Sequence, residues 1–473
     1  MLPIKIPAHC ASGFASNPEA FFLPGREQAV NERETLIRGG RLVDPATGAD
    51  GPADLLIRGD RVAEIGRVAR RPGRTEIDAD GLVVAPGLVD VHVHLRSPGF
   101  PEKETIATGT TAAAAGGFTT VFCMPNTRPT LDSVEALRDL AAEVAQEGLV
   151  RVHPIAAITK GRAGAQAVDF DALAAAGAVG FSDDGDSTED SGIMRAALES
   201  TLRHGRPVMV HCEDRGLVGG SMHEGDVSRR LGVRGIPAEA EEIMIARDLM
   251  LARLTGGWLH LCHVSIGTGA EWLRQFKAAG ARVTGEVMPH HLLMTDEWVG
   301  GSRRLVNVDE PVGPDGVPLD THTKVNPPLR PEGDTRALLA ALRDGTIDLV
   351  STDHAPHAPS EKTGTPFERA AMGMIGSEVA LAMMLALVRA GHATLPQMIA
   401  WLSTVPARLW GLPAGRLAAG DVADIVLFDP DQAWVVDRAT IRSKSVNTPL
   451  LGMTLTGKVK RTFVGGEERY VDA

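Results

Sequence analysis

Cysteine is scarce in this chain. Its four copies, Cys10, Cys123, Cys212 and Cys262, are scattered over 473 residues with no CxxC spacing. That excludes a disulfide frame and a thiolate zinc finger, and it points to reduced thiols in a cytoplasmic protein. Long apolar runs are missing too, so no membrane span is expected. The N-terminus lacks the basic-then-apolar order of a secretory signal. Positive charge is in deficit: 48 Lys and Arg stand against 60 Asp and Glu, a net charge of −12. Nucleic acid and anionic membranes are therefore poor partners, and any anion must be recognised in a local pocket. What is present is ordinary for a soluble enzyme, with 44% hydrophobic and 23% charged residues. The length suffices for one large domain and a smaller one.

Residues 1–34 read as a flexible N-terminal extension with no assignable role. Residues 35–85 are short β-prone runs separated by Gly, Asp and Pro turns, and the C-terminal piece 406–473 has the same texture. The two ends are expected to pair into one small β-sandwich. The middle, 86–405, alternates apolar runs with Ala- and Leu-rich helical stretches. Its strand candidates are 88–93, 119–123, 151–157, 178–181, 207–211, 258–263, 282–287 and 347–352. Eight β-then-α repeats predict an α/β fold, a (β/α)₈ TIM barrel with insertions. The alternative, a doubly wound open sheet, lacks a GxGxxG after its first strand.

Barrel enzymes place their chemistry at the C-terminal ends of the strands, and ligand-type residues collect there. The first strand reads LVDVHVHLR, 88–96. Strand side chains alternate faces, so His92 and His94 share one and can grip a single metal ion. Later strands lead to Asn126, to Asp183 and Asp184, to His211, to His263, and to Asp353 with His354 and His357 just after. Singly, each is equally a hydrogen-bonded polar residue. Their recurrence on six strands of eight points to one shared pocket. Four His and two carboxylates are the inventory for two divalent ions sharing a bridging carboxylate, equipment suited to amide hydrolysis or its reversal, ring closure.

These stretches together resemble the amidohydrolase superfamily and, within it, the class I dihydroorotases, from about residue 36 to 470. The motifs are VDVHVHLRSPG, KETIATGT, TTVFCMPNT, GFSDDG, VHCED, EVMPHHLLMT, KVNPPLR and STDHAPH. The resemblance implies reversible cyclisation of N-carbamoyl-L-aspartate to (S)-dihydroorotate in pyrimidine (UMP) biosynthesis. It implies two Zn²⁺ per subunit: His92 and His94 with Asp353 on one, His211 and His263 on the other, Asp184 bridging. A hydroxide between the ions would attack the ring amide while Asp353 shuttles the proton. Many relatives bridge with a carboxylated lysine, but no Lys or Arg lies between Ala163 and Arg195. The family spacing of 27 residues to the strand-five histidine selects Asp184 over Asp183. Arg96 would fork the substrate carboxylate, supported by Asn126 and His357 with His94 alongside. Asn326 would reach the ring amide, and Met372 and Gly373 would offer backbone groups.

Other residues read as support. His290 and His291, taken as strand neighbours, would face opposite ways. His153 is structural, and Cys212 and Cys262 pack away from the pocket. Ser97 stands where the family usually has Glu. Two other readings fit the fold: a different cyclic amidohydrolase (allantoinase, hydantoinase or dihydropyrimidinase), in which Arg96 has no task, and an inactive subunit of aspartate carbamoyltransferase, which would have lost ligands. A small-molecule substrate is implied; a homo-oligomer and an active complex with aspartate carbamoyltransferase are both compatible.

Overall fold

A computed structural model describes residues 33–308 and 310–472; the predicted extension, up to residue 32, lies outside the described residues. Eight parallel strands form one sheet: β1 (Leu88–Val93), β2 (Phe118–Cys123), β3 (Arg151–Ala156), β4 (Gly180–Phe181), β5 (Val208–Val210), β6 (Leu259–Leu261), β7 (Val283–Val287) and β8 (Leu349–Val350). They are ordered as in sequence, and β8 returns to β1 through a bridge between Val93 and His354. The His94 N–H donates to the His354 carbonyl at 2.9 Å, which closes the barrel.

Helices cover the strands because their apolar positions fall on one face. In Val134–Glu147, Ala136, Leu137, Leu140 and Val144 are buried, and Ser133 caps the N-terminus by accepting the Ala136 N–H. Inside the barrel, Trp410 touches both Phe122 of β2 and His260 of β6, with ring centroids 5.4 and 5.2 Å away. Strands on opposite sides reach the same indole, so Trp410 is a plug in the barrel interior. It follows the helix Val405–Leu409.

A second sheet joins the two ends of the described chain. Glu34–Asp44, Ala49–Arg58, Arg61–Gly66 and Val83–Pro86 come from the front, and Ile425–Val435, Thr454–Val464 and Glu467–Val471 from the back. They meet where Val83–Pro86 pairs antiparallel with Ile425–Val435. Gly87 then leads directly into β1. A Cβ there would lie 2.3 Å from the Thr119 side chain, so only glycine lets the two segments approach.

Several barrel strands are shorter than their apolar runs. The chain leaves the ladder just before the polar residues, and Arg96, His263 and Asp353 adopt left-handed φ values of 58°, 34° and 47°. Non-glycine residues rarely do so, and such positions gather at functional sites. His290 and His291 are not on a strand: Pro289–Leu293 is a single helical turn, begun by a proline already set for helical φ. No helix among the described residues is long and apolar enough to cross a membrane.

Candidate active site

Six of the expected residues converge at the C-terminal rim. The donor atoms of His92, His94 and Asp353 all lie within 4.8 Å of one another, as do those of His92, Asp184 and His263. His211 Nδ1 faces His263 Nε2 at 2.9 Å and Asp184 Oδ1 at 3.9 Å. Asp184 reaches His92, His94 and His263 through contacts of 3.5 Å each. Asp353 Oδ1 sits 3.0 Å from His94 Nε2. All six side chains are buried.

Neighbours fix which ring nitrogen points inward. Glu286 Oε1 lies 2.7 Å from His92 Nδ1, and Asn126 Oδ1 lies 2.9 Å from His94 Nδ1. Both partners accept, so Nδ1 carries the proton and Nε2 turns its lone pair to the cluster. Glu213 accepts from His211 Nε2 at 3.3 Å, which frees Nδ1 in the same way. Asp183 is already saturated by Ile158 N–H, Thr159 N–H, Thr159 Oγ1 and Thr188 Oγ1, so it points away from Asp184's side.

The donor set fits a divalent metal. His92 Nε2 and Asp184 Oδ1 are buried without a hydrogen-bond partner, and imidazole with carboxylate is a set for zinc-like ions. Burial opposes ionisation of Asp184, but the imidazoles gathered around it, His92 foremost with His263 and His94, outweigh it and hold the carboxyl well below its usual range. Asp353 is likewise lowered, against its burial, by the imidazoles of His94, His92 and His263 that face it. Burial dominates at His94 and lowers it, keeping that ring neutral.

Cys212 packs as expected, its Sγ turned to Asp248. Cys262 does not: its sulfur shares the 4.8 Å neighbourhood of His92 and Glu286. The β6 ladder stops at Leu261 and His263 is left-handed, so strict alternation fails at that strand end. Burial pushes the Cys262 thiol up, which suits a packing group better than a thiolate ligand.

The other expected residues line one wall. Arg96 Nε donates to the Pro356 carbonyl at 3.1 Å, and Nη2 is 3.4 Å from His357 Nε2. His357 donates through Nε2 to the Met372 carbonyl at 2.8 Å, and burial lowers its pKa to about 4. The Gly373 N–H donates to the Lys324 carbonyl at 2.9 Å, so that group is engaged within the wall. Asn326 donates to Glu213 at 2.8 Å and stands 3.2 Å from His211 Nε2, while its buried Oδ1 has no partner. Three supporting residues escaped the sequence reading. Glu286 was hidden in an apolar strand, although VTGEV alternates polar and apolar residues; Glu213 had only its place after His211; Asn447 lies beyond the barrel segment altogether.

A closed barrel with an imidazole–carboxylate cluster at this rim defines a metal-dependent amidohydrolase. Solved structures share the fold. An L-hydantoinase (dihydropyrimidinase) from Arthrobacter aurescens superposes with a TM-score of 0.78 at 25% identity, covering 92% of this chain and 95% of its own. A D-hydantoinase (dihydropyrimidinase) from Thermus sp. gives 0.77 at 23%, covering 93% and 96%. The Dihydro-orotase-like family profile matches residues 81–268. A dihydroorotase from Anaeromyxobacter dehalogenans (strain 2CP-1) is 45% identical over 433 residues, 91% of this chain and 96% of the relative. One from Pelotomaculum thermopropionicum is also 45% identical, over 91% and 97%. The chain belongs to the dihydroorotase family.

Proposed function

We propose that this chain reversibly cyclises N-carbamoyl-L-aspartate to (S)-dihydroorotate, a step of pyrimidine synthesis, with Asp353 as the proton carrier. One observation carries the reading: Asp353 stands 3.0 Å from His94 Nε2 in the cluster, beside a wall in which Arg96 and His357 can meet a carboxylate. His92, His94 and Asp353 would hold one zinc ion, His211 and His263 a second, and Asp184 would touch both. Bound metal supplies Lewis acidity at the scissile carbonyl and lowers the pKa of water.

The chain's own groups do the rest. Arg96, with Asn126, orients the exocyclic carboxylate; a guanidinium fork gives direction as well as charge. The free Oδ1 of Asn326 accepts from the ring N–H. In ring opening Asp353 takes a proton from the attacking water and gives it to the departing ring nitrogen. In closure it takes the carbamoyl N–H proton and returns it in the water released. Its lowered pKa keeps it ionised at rest.

The buried free thiols of Cys123, Cys212 and Cys262 support a reducing, cytoplasmic setting. Sizing the purified chain, alone and with aspartate carbamoyltransferase, separates monomer, homo-oligomer and complex. The activity test is an assay of zinc-loaded chain on dihydroorotate, allantoin and dihydrouracil. Turnover of dihydroorotate alone is expected, with closure favoured at acid and opening at alkaline pH; no turnover of it by metal-replete protein overturns the reading.

A further inference from the structure

The wall that carries His357 and Gly373 is held from outside the barrel. Beyond the second sheet's strand Ile425–Val435, the chain runs back over the rim at residues 442–447. Arg442 and Ser443 donate their N–H groups to Glu378 at 2.5 and 3.2 Å. Lys444 N–H donates to Glu104 at 3.0 Å, and Ser445 Oγ to the Lys103 carbonyl at 2.7 Å. The stretch ends in Asn447, 2% exposed.

Asn447 bonds to both loops of the wall. Its Oδ1 accepts the His357 N–H at 3.0 Å. Its Nδ2 donates to the carbonyls of Ala355 at 2.9 Å and Gly373 at 3.1 Å. Its own carbonyl accepts the Ile375 N–H at 3.1 Å. Ala355 and His357 flank Pro356, whose carbonyl holds Arg96 Nε. The chain of contacts therefore runs from Asn447 to the Arg96 guanidinium. The two loops are tightly packed: a Cβ on Gly373, at φ 137°, would sit 2.8 Å from the Ala355 Cβ. Without the side chain, two carbonyls and an N–H would be buried unpaired, and such groups force rearrangement.

We propose that Asn447 is a positioning residue for carboxylate recognition, setting the 355–357 and 373 main chain so that Arg96 and His357 meet the substrate's exocyclic carboxylate. This rests on the dihydroorotase reading above. Asn447 touches neither the metal ligands nor the reacting bond, so its loss acts on substrate affinity.

The test compares full-length, metal-loaded wild type with Asn447→Ala and Asn447→Asp. The aspartate keeps the acceptor for His357 N–H but turns an oxygen toward the two carbonyls, so it decides the matter if the alanine variant does not fold. Three quantities are read: KM and kcat for dihydroorotate, metal per chain by elemental analysis, and amide exchange of peptides covering 353–358 and 372–376. We expect KM to rise about tenfold in both variants, the effect of one lost hydrogen bond or two, with kcat within about threefold. Metal content should be unchanged, and exchange faster in those two peptides but not at 89–94. Unchanged KM, or metal and kcat lost together, overturns the proposal. If wild type does not turn over dihydroorotate, the dihydroorotase reading falls by itself; unchanged exchange in the variants overturns the clamp independently.

Discussion

Arg96 is the residue on which the proposed recognition of a substrate carboxylate turns. Its guanidinium is buried, with its charge offset at a distance by Asp353 and Asp184. A buried cation without a direct carboxylate partner is costly unless a ligand supplies one. Arg96→Ala should therefore raise KM for dihydroorotate about ten- to hundredfold, the range for a lost charge-assisted bond. Metal content should not change, because Arg96 ligates nothing. Steady-state kinetics beside elemental analysis check this, and an unmoved KM would show that the carboxylate binds elsewhere. Glu286 acts at the same scale: an acid buried beneath the cluster sets which nitrogen His92 presents.

Among the elements, the plug in the barrel interior makes the clearest contrast with the rim. Trp410 is fully buried, packs on Phe122, Trp258 and His260, and donates Nε1–H to the Val179 carbonyl at 3.2 Å. Trp410→Ala should cost about 3–5 kcal/mol of unfolding free energy, as large-to-small core changes do. KM at low temperature should hold, since the indole touches no residue of the proposed site; denaturant unfolding beside kinetics decides. The eight strands were legible as apolar runs between helical stretches, and six of them lead to a ligand-type residue, a second signal that reinforces the first. The helical turn at Pro289–Leu293 was not, because MPHHLL continues an apolar run and only the proline marks the break. Register failed locally at Cys262, where a left-handed residue follows the ladder. Five of the six clustered residues were readable from type and position; Asp184 was chosen over Asp183 only through the family spacing. Asn447 was not, because nothing in a segment after the barrel announces that it folds back over the rim.

At the scale of the whole molecule, stability against pH is a contest between buried groups of opposite sign. Burial, helped by the charges of Arg151 and Arg206, lowers the His153 pKa to about 4. Unfolded histidine titrates near 6.5, so the unfolded chain binds more protons between those values, and this group destabilises the fold as pH falls from about 6.5 to 4. Glu378 works the other way. Burial raises it to about 7 despite hydrogen bonds from Arg442 and Ser443. The folded chain binds the extra proton there, and the contribution is lost as pH rises from about 4 to 7. Melting curves from pH 4 to 7 should tilt in opposite directions: His153→Phe should gain relative stability at the acid end and Glu378→Gln at the neutral end. Parallel curves would show that neither proton is linked to folding.

The reach of Asn447 back to the rim also bears on how the protein is made. A ribosome that has delivered residue 440 has already released every imidazole and carboxylate of the cluster, yet the cleft still lacks its final brace. Products of premature termination near that point would carry all six of those side chains without the one residue that ties the 355–357 main chain to residue 373.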